Sequence, residues 1–118
     1  MRPVILAACL AAFPISGNTQ TSGIHSNQGG CDRLTGKPVS TDNVLILHSD
    51  RLEFWESSCP ITQSQPVGSE AVLLTVTCSG EGETWDDFYM LETTSDPARV
   101  VLYPEDAPNA RQDLQVCP

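Results

Sequence analysis

Four cysteines constrain this chain more than any other feature: Cys31, Cys59, Cys78 and Cys117, which remain once an N-terminal leader holding Cys9 is set aside. An even cysteine count in a small exported domain reads as a disulfide framework of two bridges. There is no C-x-x-C pair and no Cys/His cluster, so zinc does not account for them. Four cysteines allow three pairings. Strand geometry favours Cys59 with Cys78, on neighbouring strands of one meander, and Cys31 with Cys117, at the two ends of the folded part. The chain-entropy account credits these loops with at most about 3 and 4.6 kcal/mol, as much as a small domain's whole net stability.

The expectation of export comes from the first residues. "MRPVILAACLAAFPISG" carries Arg2, then an apolar run from Val4 to Phe13, and no acidic residue precedes Asp32. A basic start, a short apolar stretch and small residues near its end make a secretory signal peptide. The run is shorter than the roughly 20 residues that cross a bilayer. Cleavage after Gly17 is expected, which divides the chain into a signal peptide (1–17), a polar Gly-rich leader (18–30, with His25) and one domain (31–118). "LAAC", Leu6 to Cys9, matches the bacterial lipobox, so a lipoprotein anchored at Cys9 is the competing reading. The apolar run continues past Cys9 and favours plain secretion into a bacterial periplasm or beyond.

Removing 17 of 118 residues leaves 101, enough for one domain with a thin core. The 6 basic and 15 acidic residues give a net charge of −9, and loss of Arg2 with the signal makes it −10. Such a surface is wrong for nucleic acid and for anionic lipid. It is compatible with a cationic partner.

Beyond Cys31 no 3.6-residue apolar stripe and no internal repeat is visible. Short alternating runs separated by turn residues take their place. "AVLLTVTCS" is the strongest, with Val72, Leu74, Val76 and Cys78 on one face. In "TWDDFYMLETT", Trp85, Asp87, Tyr89 and Leu91 alternate with Asp86, Phe88, Met90 and Glu92. "ITQSQPV" is expected at an edge or bulge, because Pro66 lacks a ladder donor; "SSCP" is expected to break the preceding strand. No gap is long enough for a parallel crossover. The expectation is all-β: an antiparallel meander of six to seven short strands forming a barrel or sandwich with two disulfides.

"FWESSCPI", then "VTCSGEGETWDDFYML" and a closing cysteine, resemble a group of small exported bacterial β-domains of unknown function. The likeness covers roughly residues 43 to 118. It implies export and a disulfide-linked antiparallel fold, with no assigned activity and no catalytic residues to carry over.

The candidate site is acidic. Glu81, Glu83, Asp86 and Asp87 crowd one turn and the strand after it. The stretch lacks the register and length of a calcium loop, and alternation sends Asp86 and Asp87 to opposite faces. Glu56 falls on the Leu52–Phe54 face, half-buried by expectation, where backbone N–H groups of the "SGEGE" turn would satisfy it. If Cys59 pairs with Cys78, Glu56 and Glu81 share one rim, and Glu56, Glu81 and Glu83 form a pocket for a cation. Trp55 and Trp85 are expected to fill the core; exposed, they would make with Tyr89 a patch for a sugar or peptide. "HSDR", His48 to Arg51, holds the letters of a hydrolase triad but reads as a hairpin turn. No phosphate-binding glycine loop, metal spacing or nucleophile–base pair is present, so no cofactor, metal or catalytic residue is expected. These residues describe a monomeric binding module for a cationic or glycan-bearing partner, protein or glycan, with an inhibitor of a cell-wall-degrading enzyme as the alternative. A carboxylate-based hydrolase is a more distant third.

Overall fold

Alternation along residues 71–80 decides the architecture. The computed structural model describes residues 23–118; the expected signal peptide and residues 18–22 lie outside the described residues. Its elements are β1 (His25–Ser26), α1 (Gln28–Leu34), β2 (Leu45–Leu47), β3 (Arg51–Phe54), β4 (Ser58–Val67), β5 (Ala71–Gly80), β6 (Glu83–Thr93), β7 (Arg99–Pro104) and β8 (Gln112–Val116). The strands follow one another in sequence order, every neighbour antiparallel, and β1 pairs with β8 to close a barrel. The all-β antiparallel meander is thus realised as a barrel of eight strands, the additional one being the short β1.

The inward face is apolar. On β5, Leu74, Val76 and Cys78 are buried, and β6 sets Tyr89 opposite Leu74. Leu52, Leu102 and Leu114 complete the centre with essentially no exposure, each contributing about 2 kcal/mol of burial. Cys59 bonds Cys78 inside this core, and Cys31 bonds Cys117. The register that pairs Ser58 with Ser79 and Ile61 with Val76 sets Cys59 directly opposite Cys78, which is how two alternating strands come to share a bridge.

Two expectations need correction. The ordered domain begins before Cys31: His25 and Ser26 are barrel strand, and α1 starts at Gln28. His25 is half-buried, with Nε2 3.3 Å from the Pro97 carbonyl. "SSCP" does not end strand structure either, because Ser58, Cys59 and Pro60 open β4. Pro60 is accommodated just ahead of a bulge, where the β4–β5 register shifts between Ile61 and Gln63.

Helix α1 lies over the outer face of β1 and β2 and buries Ile46 and Ser26 completely. All of β2 is therefore buried, one face toward the barrel centre and the other under the helix. The approach is close. A Cβ on Gly30 would sit 2.0 Å from Ser26 Oγ and 2.6 Å from Ile46 Cγ1; one on Gly29 would sit 2.5 Å from the Asn43 carbonyl oxygen. Asn27 caps the helix by accepting from Gly30 N–H at 2.9 Å, and the same oxygen accepts from Leu45 N–H at 3.0 Å.

The barrel has two unlike ends. One is an apolar mouth of about 350 Å³ lined by residues including Gly23, Leu47, Ile61, Val72 and Leu91. The other carries the β3–β4 and β5–β6 turns.

Candidate functional site

Two hairpin tips build the site. β3 and β4 are joined through Trp55 and Glu56, closed by Phe54 N–H on the Ser57 carbonyl at 2.9 Å. β5 and β6 are joined through Glu81 and Gly82, with φ of 54° and 82°. Positive φ at both central residues is the type I′ pattern, which matches strand twist and normally takes Asn, Asp or Gly. Glu81 holds the left-handed region at a cost of about 1 kcal/mol. Gly80 lets the tips meet: a Cβ there would lie 2.9 Å from the Glu56 carbonyl oxygen and 3.1 Å from Ser57 Cβ.

The result is a depression of about 260 Å³ lined by Glu56, Ser57, Gly80, Glu81, Glu83 and Trp85. The three expected glutamates and one of the two tryptophans converge on it. Glu56 and Glu81 are in side-chain hydrogen-bond contact. Glu81, as bonding partner and as like charge, pushes the Glu56 carboxyl above its ordinary range, and partial desolvation adds to the rise. The neighbouring Trp55 side chain opposes the rise, while the Asp42 charge reinforces it. Two carboxyls this close favour a shared proton, or a cation between them.

Glu56 and the two tryptophans differ from expectation. Glu56 is exposed at the tip of a turn instead of half-buried on the Leu52–Phe54 face, because β3 ends at Phe54. Its neighbours are the Glu81 carboxyl and the Trp55 side chain, where backbone N–H groups were expected. The tryptophans do not fill the core: Trp55 is 41% and Trp85 39% exposed. They also do not join Tyr89 in one patch. Trp55 lies beneath the Arg33 guanidinium, 5.2 Å from ring centre to Cζ. Trp85 donates from Nε1 to Asp87 at 3.2 Å. Tyr89 packs against Phe54 with ring centres 6.0 Å apart, and burial, helped by Asp87 and Asp106, pushes its hydroxyl up to about 12.

Asp86 leaves the cluster, as alternation requires, and accepts from Thr77 Oγ1 at 2.9 Å on the outer face. "HSDR" is a hairpin turn, with His48 N–H on the Arg51 carbonyl at 2.9 Å. Among the described residues no group of three or more His, Cys, Asp or Glu is placed to hold a metal ion.

Two other carboxylates, not anticipated from the sequence, are fully partnered. Glu53 accepts from Arg33 and from His48, each at 2.9 Å. Burial pushes its carboxyl up, but the bonds from His48 and Arg33 outweigh that and hold it below the ordinary range. Arg33 also donates to the Phe54 and Trp55 carbonyls. Glu92 accepts from the Tyr103 hydroxyl at 2.6 Å and from Arg111 at 2.9 Å, which together hold it low. The available signal was the alternation itself, which puts Glu53 and Glu92 on outward faces beside Arg or Tyr.

No helix among the described residues is long and apolar enough to cross a membrane. Two disulfides in a small fold are compatible with an oxidising compartment. No family model, curated protein or solved structure matches this chain.

Proposed function

We propose that this is an exported, non-catalytic binding module whose acidic end engages a cationic group on a protein or glycan-bearing partner, in a bacterial periplasm or outside the cell. The observation that carries this reading is the contact between Glu56 and Glu81 in an open depression lined by no cationic side chain. Glu53 and Glu92 each have an arginine; among the described residues no Arg or Lys forms an ion pair with Glu56 or Glu81, and Asp42 adds a further negative charge. An ammonium or guanidinium supplied from outside would relieve the repulsion and gain charge-assisted hydrogen bonds. Trp85 beside the carboxyls suits a cation or an aliphatic stem.

The test is capture of partners from an exported-protein extract by wild type and by Glu56→Gln/Glu81→Gln. Loss of a captured partner in the double variant is expected. Identical partner sets would sink the reading.

A second reading, inhibition of a cell-wall-degrading enzyme, draws on the two hairpin tips side by side on a disulfide-bonded barrel, a small rigid acidic projection suited to a basic cleft. Purified protein that fails to slow lysozyme-type enzymes would remove it. A two-carboxylate glycosidase fits less well: its carboxyls stand about 5 Å or more apart around a sugar, whereas Glu81 is close enough to Glu56 to shift its charge.

A further inference from the structure

Among the described residues, several lengths of strand in this closed barrel pair on one side only, and the two longest lie on β4 and β6. β4 pairs with β3 through Ser58, Cys59 and Pro60; among the described residues, Gln63 to Val67 pair with β5 alone. β6 pairs with β7 from Tyr89 onward, and the Glu105 N–H on the Phe88 carbonyl, at 2.9 Å, is the last bond on that side. Among the described residues, Glu83 to Asp87 pair with β5 alone. An unpaired strand edge is a row of donors and acceptors that accepts another strand unless something prevents it.

The two edges are defended differently. On β4, alternation from the β5 register aims the backbone of Ser64 and Pro66 at the open side, so the missing N–H falls where an incoming strand would need it. The bulge at Thr62 distorts the same edge. On β6 there is no proline and no bulge. Alternation from Phe88 aims the N–H and C=O groups of Thr84 and Asp86 at the open side. What this edge carries is charge, in Glu83, Asp86 and Asp87, together with Trp85 and Phe88, which is 46% exposed. A second copy of this edge is repelled carboxylate against carboxylate. A basic strand is attracted.

We propose that the open edge of β6, Glu83 to Asp87, takes up an extended Lys/Arg-bearing segment of the partner protein as an added strand. This rests on the reading of the acidic end as a surface for a cationic partner and specifies how that partner is held. The edge accommodates about five residues, roughly 17 Å of strand. Alternate side chains of the added strand fall beside Glu83, Trp85 and Asp87 on one face, and beside Asp86 and Phe88 on the other. Backbone bonds supply the docking, and the carboxylates select for basic residues.

The test uses the full oxidised protein and a synthetic peptide of about eight residues alternating Arg and Val. Its counterpart carries N-methyl groups along one edge, which keep the charge and abolish strand pairing. In amide-resolved NMR, the parent peptide is expected to protect the Thr84 and Asp86 amides. The N-methylated peptide is expected to bind about tenfold or more weakly, and so is the parent peptide to Thr84→Pro, which keeps every carboxylate. The peptide comparison on the wild-type protein decides the matter even if Thr84→Pro folds poorly. Equal affinity of the two peptides, protection elsewhere, or no binding of the parent would overturn strand addition. If Glu56→Gln/Glu81→Gln loses partner capture while the two peptides bind alike, the acidic-end reading stands and strand addition falls. Unchanged capture by that variant removes the acidic-end reading itself.

Discussion

Glu53 and Glu56 sit at either side of the end of β3 and meet opposite fates. Glu53 points outward from the strand and is met by Arg33 from α1 and by His48, which hold its carboxyl below the ordinary range against the effect of burial. Glu56 stands on the turn beyond, where it meets Glu81 and is pushed above that range. The residue type is the same and the segment is continuous. What differs is whether another element delivers a cation. Helix α1 does so for the flank of the barrel, which makes Glu53 structural. At the rim, among the described residues, no Arg or Lys forms an ion pair with either carboxyl, and the proposed partner would supply that charge.

The contrast depends on α1 staying docked, so the largest effect should come from releasing it. Cys31→Ser with Cys117→Ser opens a loop spanning 86 residues and is expected to cost about 4 kcal/mol in chemical denaturation. Gly30→Ala should cost about 3 kcal/mol, because Ser26 and Ile46 cannot both yield to the new methyl group; an unchanged denaturation midpoint would mean that the helix is not seated this closely. Glu53→Gln weakens two charge-assisted bonds in a partly open setting and should cost about 1 kcal/mol. Glu56→Gln should leave thermal stability at neutral pH undiminished, since it removes repulsion. If the two glutamine variants lose equal stability, the distinction between flank and rim collapses.

Acid titration sharpens the comparison further, because the two groups act with opposite sign. The folded-state pKa of Glu53 is lowered from 4.5, so its contribution is present above that value and is lost as pH falls through the lowered one. The folded-state pKa of Glu56 is raised, so its contact with Glu81 opposes folding above the raised value and is relieved as pH falls through it. Acidification should therefore first relax the rim and only then loosen the flank. Comparing wild type, Glu53→Gln and Glu56→Gln by thermal denaturation across this pH range would show each variant abolishing one of the two responses.

Much of the barrel could be read from period and turn chemistry. The inward set Val72, Leu74, Val76 and Cys78 followed from strict alternation, and placing Cys59 opposite Cys78 required only that the two strands be neighbours. Pro66 marked an edge for the same reason it guards one. For residues 23–30 composition misleads, because glycine suggests looseness. Gly29 and Gly30 are small for a different reason, the nearness of β2. A clue lies in "LIL", Leu45–Leu47, a short strand apolar at every position, which implies cover on both faces. At the site, the meeting of Glu56 and Glu81 was accessible through the Cys59–Cys78 pairing. The exposure of Glu56 was not, because nothing in "FWESS" shows that alternation stops at Phe54.

β5 runs from the apolar mouth at Val72 to the acidic rim at Gly80, a span of about 26 Å. Gly23, the first described residue, lies at the mouth. The described chain therefore begins at the end remote from Glu56 and Glu81. A tether there, to a surface or to another domain, would hold the molecule mouth-down and present its carboxylates outward.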